Sequence, residues 1–458
     1  MNRSPQTEDV VSELLDNESW EDLRALLKDL HPADAADIIN HAPSESRSRI
    51  FSLVQDSLKA DVLSELENIS ESCVIESLDI SEIGNILEKM APDDAADFLG
   101  NLPPEQAEQI LKIITPKNSQ SIRKLLKYDE ETAGGIMTTD VVAMRENQTV
   151  QEAIQAIAYI DTHEPFFYAN IIDGQNRLIG YVDIWELLRE KNRDRLLKSL
   201  VHKDSVAARV DMDREEVANL MNRYDLSAIP VVDRKGKLVG RITGDDIIDV
   251  MEEEASEDIL RLAGSDNAEL ETESPLKVCM VRLPWLFITL LGGFVTTLIL
   301  KAFHAHIGGA RLLMMAYFVP IVLAMGGNTG IQSSTLTVRK IALEDVRASN
   351  VWSLLFREML TGILMGVVCG IIIGFWAGFV VDTDSGGFPP AFLALTVAAA
   401  LFSAMTFAAV FGAFVPVVLE KAGIDPAVAS GPFVTVTNDI SALLIYFAVT
   451  VLLVQSQG

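Results

Sequence analysis

The stretch that decides how this chain is organised is GDDIIDVMEEEASEDILRLA, residues Gly244–Ala263. It reads as one acidic helix. Asp246, Asp249, Glu253 and Glu257 recur three or four residues apart and so share a face. Like charges at that spacing weaken a helix by roughly 0.3 kcal/mol per pair, and a bound divalent cation would reverse the sign. The bland alternative is a solvated linker, the usual role of a charge run. Two features weigh against it: no lysines are interleaved, and the helix leads straight into apolar sequence.

On either side of this helix the charge differs sharply. The 458 residues carry 37 basic and 65 acidic side chains, a net −28. From Lys277 onward nine basic residues face eight acidic ones, a net +1, so the first 276 residues hold −29. At about 100–200 residues per domain the length predicts two to four domains. The acidic balance argues against nucleic acid, whose phosphates need Lys and Arg, and favours cations as partners. A polyacidic part joined to a neutral apolar part excludes both a plain soluble enzyme and an all-membrane protein. Cys73, Cys279 and Cys369 form no CxxC and no disulfide framework, which fits a reducing compartment. The first residues hold no apolar run of the signal-peptide kind, so the front part is expected to stay on the side where it is made.

Toward the N-terminus, residues 128–250 contain a repeat offset by sixty: Asp173-Gly-Gln-Asn-Arg-Leu-Ile-Gly-Tyr-Val182 aligns with Asp233-Arg-Lys-Gly-Lys-Leu-Val-Gly-Arg-Ile242. Each copy reads as strand–helix–strand–strand–helix. The pair resembles tandem CBS domains, with Ala228–Asp233 and Gly240–Asp246 as markers. The resemblance implies an adenine nucleotide, such as ATP, held at Ile229, Pro230, Thr243 and Asp246. The first copy has Asp183 and Glu186 where the ribose-reading pair would stand, so one nucleotide site is expected. Residues 8–127 read as short helices throughout. His31-Pro-Ala-Asp-Ala-Ala-Asp-Ile38 repeats as Ala91-Pro-Asp-Asp-Ala-Ala-Asp-Phe98, again sixty residues on. Pro and Asp in a first turn suit the positive end of a helix, so these aspartates serve equally well as helix starts. Short repeated helices predict a small superhelix.

Toward the C-terminus lie five stretches long enough to span a bilayer, near 281–303, 312–340, 352–381, 391–419 and 429–455. Lys277, Arg282, Arg339, Lys340, Arg347, Arg357 and Lys421 fall on one side and Lys301 and Arg311 on the other, which predicts N-terminus in and C-terminus out. Gly326–Thr335 and Gly431–Ser441 hold glycine, proline, amides and hydroxyls, and are expected to loosen their helices where a cavity satisfies the freed backbone. Asp439 reads as the one carboxylate well inside a span, and such residues by default mark an ion path. Its plainer reading is a structural hydrogen bond to a neighbouring helix. A carboxylate with hydroxyls, amides and carbonyls is an all-oxygen set suited to hard cations; composition does not separate Mg²⁺ from Ca²⁺ or Mn²⁺.

The order of parts resembles the MgtE family of bacterial magnesium transporters. The motifs that carry it are Gly326-Gly-Asn-Thr-Gly-Ile-Gln-Ser333, Gly431-Pro432 leading to Asp439-Ile440, Pro92–Asp97, and Glu252–Asp258. The expected fold is multidomain: an all-α superhelical domain (1–127), an α/β tandem CBS pair (128–250), a connecting helix and linker (251–276), and an all-α domain of five spans (277–458). The resemblance implies a homodimer in the bacterial inner membrane that conducts Mg²⁺ and closes when cytosolic Mg²⁺ is high. It places the pore carboxylate on Asp439, with Thr435 and Gly431 beside it, and makes Asn328, Gln332 and Asn438 further pore-lining candidates. A family member can carry a side-chain amide at the place of Gly431, so here backbone or water must serve. Regulatory Mg²⁺ ligands map onto Asp93, Asp97, Asp213, Glu215, Asp225, Asp246, Asp249, Glu254, Glu257 and Asp258, all acidic in this chain. Competing readings are a carrier of Co²⁺ or Mn²⁺ on the same scaffold and a membrane-anchored nucleotide sensor. An enzyme finds no support: there is no P-loop, no HExxH, and the six histidines form no cluster beyond His304 and His306.

Overall fold

The computed structural model describes residues 10–455 apart from 12, 16, 18, 161–164, 270–273, 305–313, 343–350, 381–388 and 428–430. Arg311 and Arg347, used in the orientation argument, and His163 and His306 lie outside the described residues. The chain divides into two compact units at Glu254/Ala255, and each is taken by itself.

The first unit opens with α1 (Trp20–Lys28), α2 (Pro32–His41), α3 (Ser44–Leu53), α4 (Lys59–Ser64), α5 (Asn68–Ile75), α6 (Ile80–Leu87), α7 (Pro92–Gly100), α8 (Pro104–Ile110) and α9 (Pro116–Leu125). Proline begins α2, α7, α8 and α9, where its missing N–H costs nothing and its φ is already helical. Asp79 and Glu82 close a capping box on α6. The helices are too short to stand alone. Each packs mainly on the second one along, α2 on α4, α3 on α5, α6 on α8 and α7 on α9. This is the expected superhelix, with Leu23, Ile39, Phe51, Ile83, Leu99 and Ile110 fully buried along it.

The CBS pair follows: β1 (Ala143–Arg145), α10 (Val150–Ile157), β2 (Tyr168–Ile172), β3 (Leu178–Asp183) and α11 (Ile184–Arg189), then β4 (Ala208–Arg209), α12 (Arg214–Arg223), β5 (Ala228–Val232), β6 (Leu238–Thr243) and α13 (Gly244–Ala263). Each copy is a three-stranded sheet, with one parallel and one antiparallel pair and the same register shift, at Ile171/Ile172 and at Val231/Val232. The sixty-residue repeat extends to single hydrogen bonds. Asp173 Oδ1 accepts from the N–H groups of Gln175 and Arg177 at 2.7 and 2.8 Å, and Asp233 Oδ1 from those of Lys235 and Lys237, both at 2.8 Å. Asn176 and Gly236 both take positive φ, 62° and 76°, to close these turns. The two turns then pair with each other, Leu178 N–H to Gly236 O at 3.0 Å and Leu238 N–H to Asn176 O at 3.1 Å. By the same repeat, α13 is the counterpart of the short α11, prolonged to twenty residues. The connecting helix is therefore an overgrown CBS helix rather than a separate linker.

The second unit holds α14 (Pro275–His304), α15 (Val319–Ala342), α16 (Val351–Val380), α17 (Pro390–Ala422) and α18 (Pro432–Gln455), all five long and apolar enough to cross a membrane. α17 is central. Gly362, Gly366, Gly370 and Gly374, one per turn of α16, bring that helix onto the α17 backbone, where a Cβ on Gly366 or Gly370 would lie 3.0 Å from a carbonyl oxygen. Two expectations need correction. The glycines of Gly326–Gly330 do not break α15, which runs through them without interruption. Nor do Gly431 and Pro432 interrupt a span: Pro432 is the first residue of α18, at the position a helix start tolerates.

Candidate ion path and acidic cluster

Gly431, just before α18, and Thr435 and Asp439 on it are spaced by fours and form one stripe. Thr435 donates from its N–H and from Oγ1 to the Gly431 carbonyl, at 3.1 and 2.9 Å. That carbonyl is therefore already engaged within the helix. Asp439 is half-buried and turned to α15, with Oδ1 3.4 Å from where a Cβ on Gly327 would sit. It makes no hydrogen bond or ion pair among the described residues. The Gly431 end of the stripe meets the tail of α13, where a Cβ on Gly431 would fall 2.3 Å from the Leu262 carbonyl. Gly264, at φ +75°, ends the helix beside Pro432 and Trp285. Arg261 pins this tail by pairing with Glu257 and with Asp425.

The three other pore-lining candidates do not join that stripe. Asn328 and Gln332 are exposed on α15 and share a groove of about 470 Å³ with Leu364, Met365 and Val368 of α16. Asn438 is 0 % exposed and faces α15, so it lines no open surface of the chain. A second carboxylate was missed. Glu358 lies in the third turn of α16, 6 % exposed, and accepts from Ser333 Oγ at 3.0 Å. Beside Arg357 it reads as a span boundary, so Asp439 is not the only acid within these helices.

In the first unit the acidic candidates are spread over several environments. Asp93 is buried, and Asp97, one turn on along α7, is pushed up to about 7 by burial and by Asp94, Glu130 and Glu253. The residue nonetheless keeps more than a third of its surface open, so solvent screens that shift. Glu71 is also raised to about 7, by burial first and then by the charge of Asp97. Burial raises Asp249, with Glu65 adding to it. Asp213 caps α12, accepting from the Glu215 N–H at 2.9 Å, and Asp225 holds a left-handed turn at φ 51°. Asp246 accepts from the N–H and Oγ1 of Thr243 at 3.2 and 2.8 Å. Glu254 is bound by Arg214 at 2.7 Å, and the same guanidinium holds Glu253 at 2.8 Å and Glu131 at 3.1 Å. Burial still pushes the Glu254 carboxyl up, against the pull of Arg214. Among the described residues no three His, Cys, Asp or Glu side chains stand close enough to hold one ion. Arg214 and Arg261 were missed as counter-charges. Arg214 comes from α12 and no local spacing announces it, whereas Arg261 stands in the last turn of α13 four residues after Glu257, a spacing that could have found it.

Comparison with known proteins fits these parts. Residues 30–131 match the MgtE intracellular N domain, 133–193 and 197–253 the CBS domain, and 319–449 the MgtE divalent cation transporter domain. The chain is 35% identical over 324 residues to "Magnesium transporter MgtE" of Enterococcus faecalis, covering 70% of this chain and 69% of that one. It is 31% identical over 444 residues to the protein of that name in Bacillus subtilis, covering 95% and 94%. The chain belongs to the MgtE family. A crystal structure of the cytosolic domain of the Mg²⁺ channel MgtE in complex with ATP aligns with 53% of this chain and 99% of that one, at 31% identity and a TM-score of 0.49. The MgtE relatives are named as transporters and not as enzymes.

This MgtE-family chain also has a cavity of about 260 Å³ in its CBS pair, lined by Phe167, Tyr168, Asn170, Arg241, Thr243 and Asp245 among others. Of the residues expected at a nucleotide, Thr243 lines it. Ile229 and Pro230 are buried in β5 and Ser227 and Ala228 stand at the wall instead. Asp246 grips the Thr243 hydroxyl rather than the cavity.

Proposed function

We propose that this chain conducts Mg²⁺ down its electrochemical gradient through the inner membrane, as a homodimer gated by cytosolic Mg²⁺. The observation that carries the reading is Asp439, a carboxylate at membrane depth with no ion pair among the described residues, on one stripe with Thr435 and Gly431. A charge so placed is costly unless it serves an ion. Mg²⁺ sheds water reluctantly and binds through few carboxylates. One Asp439 from each of two copies would meet a largely hydrated ion. The membrane part is 277–458, with the N-terminal domains cytoplasmic and the C-terminus outside.

The acidic residues of 1–127, of the CBS pair at 128–250 and of the connecting segment at 251–276 form the sensor. Asp97 and Glu253, whose charges act on each other, and Asp93, Asp249, Glu254, Glu257 and Asp258 are its bridging groups. Asp213, Glu215, Asp225 and Asp246 supply the CBS side. Several weak bridges together reach the roughly 5.5 kcal/mol needed to turn a 1:99 population into 99:1, and only their preference for the bridged form counts. An adenine nucleotide such as ATP would lie in the CBS cavity against Thr243 and Arg241.

The deciding experiment is Mg²⁺ uptake into proteoliposomes by the intact chain and by Asp439→Ala. Uptake is expected to vanish in the variant while Co²⁺ and Mn²⁺ compete weakly with Mg²⁺ in the intact chain. Undiminished uptake by Asp439→Ala would overturn the pore assignment.

A further inference from the structure

Asn438 is the residue next to Asp439 on α18, and it is fully buried. Neither its Nδ2 nor its Oδ1 has a hydrogen-bond partner among the described residues. Its amide fills the space that a side chain on Gly330 would take: a Cβ there would lie 1.6 Å from Nδ2, 2.7 Å from Cγ and 3.3 Å from Oδ1, and these are its three nearest atoms. Gly330 is closed from the other side by α17, since a Cβ on Gly412 would lie 2.3 Å from the Gly330 carbonyl. One turn away on α15, Gly327 receives Asp439. Two neighbouring side chains of α18 thus enter two notches three residues apart on α15.

We infer that Asn438 is a positioning residue for transport, a key that fixes the rotation of α18 about its axis and so aims the Asp439 carboxylate. The inference rests on the reading that Asp439 lies on the ion path. A helix turns as a rigid body. With side chains reaching roughly 5–6 Å from the axis, a turn of roughly 20° would carry the Asp439 carboxylate about 2 Å. The amide acts through its shape, because its polar atoms are not spent on hydrogen bonds to the protein. The glycines of the second span are therefore sockets for α18 and not breaks that free backbone carbonyls to the ion.

Initial Mg²⁺ flux against Mg²⁺ concentration, in proteoliposomes of the full chain, tests this alongside melting in detergent. Asn438→Ala is expected to raise the half-saturating Mg²⁺ concentration about tenfold, as misplacement of an acting group does. Asn438→Leu, which keeps the volume and discards the amide, is expected to stay within about threefold of the intact chain. Gly330→Ala alone collides with the amide and loses both melting temperature and flux. Gly330→Ala with Asn438→Ala puts a methyl where the amide was, and is expected to restore both. If Asn438→Leu and the double variant melt like the intact chain but conduct no better than Asn438→Ala, the amide itself serves the ion and the positioning role is wrong. Intact-like flux of Asn438→Ala at every Mg²⁺ concentration overturns it too. Asp439→Ala, run in parallel, reports separately on the path: if it conducts normally, the path reading fails whatever the Asn438 variants do.

Discussion

The carbonyl oxygen of Leu262, in the last turn of the connecting helix, lies 2.3 Å from where a Cβ on Gly431 would sit at the start of α18. No side chain fits there without moving one of two backbones. A single atom's width thus joins the end of the acidic helix to the first residue of the candidate ion path.

Gly431→Ala is accordingly expected to push α13 and α18 apart at this point. Overpacking of this kind costs about 1–3 kcal/mol, visible as a lower melting temperature of the full chain in detergent. Under the gating proposal the same variant closes poorly, so Mg²⁺ flux persists at millimolar internal Mg²⁺, where the intact chain shuts. A variant that both melts and closes like the parent would show that this contact transmits nothing.

Arg214 is the cation at the centre of the acidic cluster. Its side chain is 11% exposed and holds Glu131, Glu253 and Glu254 within 3.1 Å. Glu131 and Glu253 reach solvent, which screens their share, so Arg214→Ala should cost about 2 kcal/mol rather than the larger loss of a fully buried pair. The carboxylates left behind, which are not placed to surround one ion, lose their counter-charge and repel one another, and a divalent cation between two of them would relieve that repulsion. Millimolar Mg²⁺ is expected to raise the melting temperature of the variant more than that of the intact chain. An equal Mg²⁺ effect on both would mean that these carboxylates cannot share an ion.

The sequence made these elements readable to different depths. The sixty-residue repeat disclosed the CBS pair because a repeated turn chemistry, Asp173 with Asn176 and Asp233 with Gly236, forces the same local backbone twice. The five spans were plain from apolar length. What stayed hidden was pairing at a distance. Gly326–Gly330 carries the residues of a broken helix, and only the approach of Asn438, more than a hundred residues on, makes those glycines sockets. Glu253 looked like a bare like-charge because Arg214 is remote in sequence, whereas the partner of Glu257, Arg261, was legible four residues on. Glu358 passed for a boundary residue because burial against Ser333 is a tertiary fact.

Glu71 gives the N-terminal domain a pH dependence of definite sign. Burial, and then the charge of Asp97, raise its carboxyl to about 7. A carboxyl raised in the folded state contributes stability that is full below its ordinary value near 4.5 and is lost as pH climbs through 7. The domain should therefore melt lower at pH 8 than at pH 5. Glu71→Gln removes the ionisation and should flatten the slope, with a gain at pH 8 of at most a few kcal/mol. Asp97 shifts in the same direction, but its open side chain is screened and its share is smaller. Parallel melting curves for the intact chain and Glu71→Gln across this range would refute the account.

Glu358 separates a path with one carboxylate from a path with two. It is 6% exposed in α16 and bound to Ser333 Oγ at 3.0 Å, on a different helix from Asp439. If its work is to join α15 to α16, Glu358→Ala strands a buried hydroxyl and costs about 2 kcal/mol, while Glu358→Gln keeps an acceptor and costs less. Ser333→Ala combined with Glu358→Ala should then cost less than the two losses added, since the partners are removed together. Flux by Glu358→Gln should keep the half-saturating Mg²⁺ concentration of the intact chain, because a neutral amide can still hold the hydroxyl. Should Glu358→Gln melt normally yet conduct nothing, its charge must serve the ion, and the path would run past α16 as well as along the α18 stripe.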